Sequence, residues 1–138
     1  MAYWLVKDEP ESWSYAKHAA EGVAPWDGVR NYAAAKNLRT MKKGDRAFFY
    51  HSVTEKRLAG ILEVVREAYP DPTDKEKKNW VAVDFKAVMP ITTPVTLEMI
   101  KKEPKLKDIE LIRQSRLSVA PIRPDEWKLL CKMAGVAA

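Results

Sequence analysis

Apolar and polar positions alternate along this chain with two distinct periods. From Trp80 to Val88, the residues Val81, Val83, Phe85 and Ala87 interleave with Ala82, Asp84 and Lys86. That is the period of a half-buried strand, because successive strand side chains point to opposite faces. Arg46 to Ser52 places three aromatics in a row. Both faces of that strand must therefore meet something large, with Phe48, Tyr50 and Ser52 on one side and Phe49 and His51 on the other. Tyr3 to Val6 predicts a first strand, ended at Lys7-Asp8-Glu9-Pro10, where the proline cannot donate to a ladder. Leu58 to Ala68 predicts a long strand whose internal Gly60 marks a bulge or a close backbone approach. A short strand is expected at Arg116 to Val119, before Pro121.

The longer period appears between these runs. Trp127, Leu130, Cys131 and Ala134 form one stripe of a helix that opens at Pro124-Asp125-Glu126 and stops at Gly135. Leu106, Ile109 and Ile112 predict a second apolar stripe, and Thr96 can cap a short helix over residues 97–101. Ser12 or Ser14 can cap a helix through Tyr15 to Ala20, with Gly22 as its stop. Strands follow one another in mid-chain without helical crossovers, which argues against a doubly wound parallel sheet. The expected fold is α+β: a small, mostly antiparallel β barrel flanked by helices. No repeat or linker divides the chain, so residues 1–138 read as one domain.

Composition adds limits. With 138 residues, 46% apolar and 31% charged, the chain has the profile of a soluble globular domain with one sizeable core. No apolar run is long enough to span a bilayer, and the N-terminus lacks a basic region followed by an apolar stretch. The single Cys131 permits no internal disulfide and no cysteine metal cluster, and a cytoplasmic setting is expected. A net charge of +5 suits a polyanionic partner without specifying one. Five tryptophans in so short a chain change the picture more, because tryptophan serves either as core or as a stacking surface.

The chemistry concentrates in Trp26-Asp27-Gly28-Val29-Arg30-Asn31-Tyr32. Asp27-Gly28 predicts a tight turn, and Asn31 predicts the N-cap of a helix running from Tyr32 to near Met41-Lys43. Trp26 and Arg30 are thus expected on a loop that feeds a helix N-terminus. Enzyme signatures are mostly absent: there is no phosphate-cradling glycine loop and no dinucleotide fingerprint. His18 is expected at the surface, Cys131, Trp80 and Phe48 in the core, and His51 and Ser52 on opposite faces of their strand. Binding is favoured over catalysis, with no cofactor and no metal. Flat rings (Tyr3, Trp4, Trp26, Tyr32, Tyr50, Trp80), small polar groups (Asn31, Ser52, Ser118) and cations (Lys7, Arg30, Arg116) are the combination that holds an unstacked base.

Five motifs together resemble the EVE domain family of the PUA-like superfamily: Tyr3-Trp4-Leu5 with Lys7-Asp8-Glu9-Pro10, the 26–32 stretch, Phe48-Phe49-Tyr50-His51-Ser52, Tyr69-Pro70-Asp71-Pro72-Thr73, and Arg116-Leu117-Ser118-Val119. The resemblance implies a PUA-like pseudo-barrel with surrounding helices, kinship with YTH readers of methylated adenine in RNA, and binding of modified bases, notably modified cytosines in DNA. It departs from the family at Asp8, where serine is frequent, and at Ala33-Ala34-Ala35, where Gln-Ala-Arg is frequent. The expected site has Trp26 as one wall and Tyr50 or Trp4 as another. Asn31, Ser52 and Ser118 would read polar edges, helped by backbone groups near Val29 and Leu117. Lys7, Arg30 and Arg116 would hold phosphates or order the loop, with Arg30 alternatively paired to Asp27 or Asp45. The expected partner is nucleic acid carrying a modified base, with no membrane and with a separate effector protein as a further possibility. The alternatives are a reader of a methylated base in RNA, or a hydrolase of modified nucleotides working through His51.

Overall fold

A computed structural model describes residues 1–137. Six strands form one sheet in the order β2-β5-β4-β3-β1-β6: β1 (Tyr3–Asp8), β2 (Val23–Trp26), β3 (Arg46–His51), β4 (Arg57–Pro70), β5 (Val81–Pro90) and β6 (Val119–Ile122). Only β1 and β3 run parallel; every other neighbour pairs antiparallel. The fold is therefore α+β, as the strand order along the chain predicts. Among the described residues, no helix is long and apolar enough to cross a membrane.

The alternation in β3 divides the core in two. Phe49 packs with Trp4, Val6, Trp26, Leu62, Val83 and Phe85 on one face. Phe48 and Tyr50 pack on the other with Leu5, Ile61, Ile100, Trp127 and Leu130. Helix α2 (Tyr32–Thr40) covers the first face, burying Ala34, Ala35 and Leu38. It lies against β4, β5 and β6, and Asn37 Nδ2 ties it to the Val119 carbonyl at 2.7 Å. Because β6 is the far edge of the sheet from β5, the sheet must curl around α2. The second face is covered by α3 (Leu97–Lys102), a single 3-10 turn (Pro104–Leu106), the one-turn α4 (Glu110–Arg113) and α5 (Pro124–Ala134), where Trp127 stacks on Phe48 at 4.1 Å.

Local signals act as expected. Ser14 Oγ accepts from Lys17 N to start α1 (Tyr15–Glu21), Asn31 Oδ1 accepts from Ala34 N, and Thr96 Oγ1 from Met99 N. Gly60 lies beside a register shift of the β3–β4 ladder, and a β-carbon there would stand 2.1 Å from the Tyr15 ring. Three expectations are corrected. The stripe at Leu106, Ile109 and Ile112 is broken into the 3-10 turn and α4, because Ile109 stays extended between them. The strand before Pro121 runs through it, with Pro121 opposite Trp4. Trp26, expected on a loop, is instead the last residue of a strand, Val23–Trp26, which forms although it contains Pro25. Both prolines sit on edge strands, where a missing N–H costs no ladder bond.

Candidate nucleic-acid interface

Strand β2 ends on Trp26, opposite Val83, and the chain then turns sharply at Gly28 (φ +74°) before α2 begins. Asp71 locks this turn. One of its carboxylate oxygens accepts from Gly28 N at 2.8 Å and from Arg30 Nη1 at 3.0 Å. The other accepts from the Thr73 N–H and hydroxyl, both at 2.7 Å. Burial alone would raise the Asp71 carboxyl, but these bonds outweigh it and hold it below the usual carboxylate range. Arg30 completes the lock through the Val29 carbonyl and Thr73 Oγ1. Its partner is thus Asp71 rather than Asp27 or Asp45, and its geometry orders the loop. Asp45 instead accepts from the Trp4 indole and from Lys42 N.

Beside the turn lies a cleft of about 440 Å³ lined by Trp26, Asp27, Asp8, Ser12, Trp13 and Glu21, with Val23, Ala24 and Pro25 of β2. That volume falls within the roughly 300–1,000 Å³ range of small-ligand sites. Two indoles and three carboxyl groups face it, and no lysine or arginine is among its lining residues. Burial pushes the Asp8 carboxyl up, against the opposing bond from the Glu9 N–H. Burial, then the nearby Asp71 charge, pushes Asp27 up.

Both indoles of the cleft meet His18, which is fully buried rather than exposed. Trp13 Nε1 donates to His18 Nδ1 at 3.1 Å, so the ring proton sits on Nε2, which donates to the Phe85 carbonyl at 2.9 Å. His18 also lies against Trp26 and Phe49. Burial lowers its pKa, partly offset by the Phe85 bond. The neutral imidazole thus sets the position of one indole and packs against the other. Trp26 is further fixed edge-on to Phe49 at 5.0 Å and Phe85 at 6.0 Å.

The remaining expected residues divide. Ser52 and Asp8 meet at the ends of β3 and β1, where Ser52 N donates to the Asp8 carbonyl. Lys7 N donates to the Ser118 carbonyl, and Lys7 Nζ to the Ser115 carbonyl at 3.0 Å. Lys7 therefore braces the 115–118 segment, and burial lowers its pKa. Asn31, Leu117 and the exposed Arg116 line a shallow hollow with Arg113, next to the helix start. Val29 is buried in the first core with Leu117. Asn31 has its side-chain oxygen committed to the cap, leaving the amide NH₂ as its open donor.

Trp4 and Tyr50 do not reach the Trp26 cleft. Trp4 lies four residues before Asp8 on β1, about 13 Å at the rise of a strand, and its indole is buried on Asp45. Tyr50 projects into the opposite core, where burial pushes its pKa up to about 12. Sequence reasoning missed Trp13 and Ser12 as lining residues. It also missed Asp71 and Thr73 as the lock, for which the Tyr69-Pro70-Asp71-Pro72-Thr73 motif was the available signal. His51 is buried with both ring nitrogens engaged: Tyr15 N donates to Nε2 at 3.0 Å, and Nδ1 donates to Glu55 at 2.8 Å.

The family model described as the EVE domain matches residues 2–133. Thymocyte nuclear protein 1 of Mus musculus is 34% identical over 164 residues, covering 95% of this chain and 73% of that protein. Among solved structures, a Rhodopseudomonas palustris protein determined by NMR is 52% identical, with a TM-score of 0.91 over 98% of this chain and 94% of its own. Human THYN1 protein, crystallised in complex with DNA containing 5-methylcytosine, is 32% identical, with a TM-score of 0.91 over 100% of both chains.

Proposed function

This chain belongs to the EVE domain family, and on that premise we propose that it is a nucleic-acid-binding module that takes a modified cytosine, flipped out of its stack, into the Trp26 cleft. The observation that carries the reading is the cleft itself: two indoles, a hydroxyl and carboxyl groups converge on a space of ligand size, with no cation among the lining residues. A phosphate is repelled by such a lining, whereas a base is not. Trp13 and Trp26 offer apolar walls for a ring. Asp8 and Asp27 offer acceptors, which suit the exocyclic amine of cytosine and not the carbonyl that thymine presents at the same place. The engaged nitrogens of His51 favour binding over hydrolysis, since a general base needs a free nitrogen within reach of the proton it takes. The complex of human THYN1 with 5-methylcytosine DNA supports the choice of base and of DNA.

The test measures binding to matched oligonucleotides that differ only in one 5-methylcytosine. Base stacking on an aromatic contributes about 1–3 kcal/mol. Trp26→Leu, which keeps apolar volume in the core, is expected to lower affinity for the modified strand by roughly ten-fold while leaving the unmodified strand unchanged. The half-buried Trp13→Ala should do the same. Folded variants that keep the wild-type preference would contradict the reading.

A further inference from the structure

A second aromatic feature lies six residues beyond Trp26, outside the cleft. Tyr32, the first residue of α2, is 82% exposed, although it is a large ring. It is not loose: it stacks on Trp80 at 5.1 Å with an interplanar angle of 28°. Trp80 in turn carries the Arg30 guanidinium 5.6 Å from its ring centre, and Arg30 is fixed by Asp71. The result is a ledge whose orientation is set by the same lock that sets the cleft. The Tyr32 face turned away from Trp80 is open to solvent.

The ledge is bordered by cations, which the cleft lacks, set among the carboxylates Asp74 and Glu76. Arg30, Lys75 and Lys78 line the adjoining hollow of about 550 Å³. Lys36 follows Tyr32 by four positions, on the same face of α2. Arg39 reaches the Asn79 carbonyl beside Trp80. The carboxylates nearby are largely occupied. Asp71 holds the loop, Asp74 accepts from Lys78 N and Trp80 N, and Glu76 pairs with Lys78 at 2.8 Å. A flat, pre-oriented, outward-facing ring ringed by cations matches an unpaired nucleobase and the phosphates on either side of it.

We propose that the Tyr32–Trp80 ledge is a second nucleic-acid site, where an unpaired base stacks on Tyr32 while Lys36 and Lys75 hold its phosphates. The ledge reads no sequence, because every base has a face to stack. It supplies grip, and the cleft supplies discrimination. This inference rests on the chain being a nucleic-acid binder, but not on the cleft being the reading site.

The test uses the full chain and an unmodified single-stranded DNA 12-mer, so that the cleft's preference does not enter, with heparin as a polyanion that has no bases. Tyr32→Ala is expected to weaken DNA binding roughly five-fold or more and to leave heparin binding unchanged. Tyr32→Phe, which keeps the ring, should bind DNA like wild type. At 82% exposure, either change leaves the core intact, and thermal melting checks this. Wild-type affinity in Tyr32→Ala, equal losses on DNA and heparin, or no single-strand binding by the wild type would each overturn the ledge. A Tyr32→Ala variant that keeps its 5-methylcytosine preference while losing overall affinity supports both sites. Loss of the ledge effect with the Trp26 preference intact removes the ledge alone.

Discussion

Trp26 and Trp80 stand at either end of one hydrogen-bonded lock and meet opposite environments. Trp26 is 5% exposed, wedged edge-on between Phe49 and Phe85, and opens onto a cleft that carries three carboxyl groups. Trp80 is half-buried, lies under an exposed tyrosine and borders lysines and arginines. The lining of the first is suited to select among bases by their edges, as proposed above. The second is proposed to meet phosphates and to accept any ring. On the proposed reading, the difference separates selectivity from grip within a mildly basic chain: the acid-lined cleft would read identity, and the cation-bordered ledge would meet the backbone. Asp71 belongs to both, since it bonds Gly28 beside the cleft and Arg30 beside the ledge.

The comparison breaks most completely at Asp71. Asp71→Ala removes an acceptor for Gly28 N, Arg30 and two groups of Thr73. Arg30 is partly exposed, so the ion pair itself contributes little. The dominant loss is that of the charged acceptor for two part-buried backbone donors, Gly28 N and Thr73 N, and about 1.5–3 kcal/mol is expected in urea denaturation. Modified-base preference and unmodified single-strand binding should fall together. A variant in which only one of the two falls would mean that Asp71 does not couple them.

A smaller effect sharpens the comparison, because it touches the cleft alone. His18 is buried neutral, and its pKa lies below the ordinary value of 6.5. The unfolded chain therefore takes up a proton at His18 before the folded chain does, so stability is lost as pH falls from about 6.5 toward the lowered folded value. Asp8 and Asp27, whose pKa values are raised, act in the opposite sense and at lower pH, near the carboxylate range. Denaturation midpoints between pH 7.5 and 5.5 should thus decline in the wild type and stay flatter in His18→Gln. The same acidification should leave the Tyr32-dependent binding of unmodified strands in place. An equal decline in His18→Gln would show that another group is responsible.

Much of this frame was legible in the sequence, and the parts that were not have physical reasons. Caps and turns are local, so Ser14, Gly28, Asn31, Thr96 and Gly135 could be placed from a few neighbours each. The alternation of Phe48, Phe49 and Tyr50 already separated the two cores, and taken strictly it placed Tyr50 on the side away from the Phe49–Trp26 core. What escaped depends on residues far along the chain. His18 looks like a surface residue on an alanine-rich helix until the Phe85 carbonyl, 67 positions away, gives its proton a partner. Arg30 finds Asp71 across 41 positions. Trp80 has the composition of core, and only the position of Tyr32 leaves it beneath an exposed ring. Strands β2 and β6 were hidden or shortened by prolines that an edge strand tolerates.

The division between a selective cleft and a general grip is tested most directly by a salt titration of binding to two matched oligonucleotides, one carrying 5-methylcytosine and one unmodified. Each neutralised phosphate contributes about −0.9 to the slope of log K against log salt on duplex DNA. Acids are interleaved with the cations of this chain, so a shallow slope is expected, on the order of two to four phosphate contacts. The slope should be the same for both oligonucleotides. The ratio of their affinities should stay constant from low to high salt, since stacking and edge bonds release no counterions. A steep slope with equal affinity for the two would mean that a basic surface makes the complex and that the Trp26 cleft reads nothing.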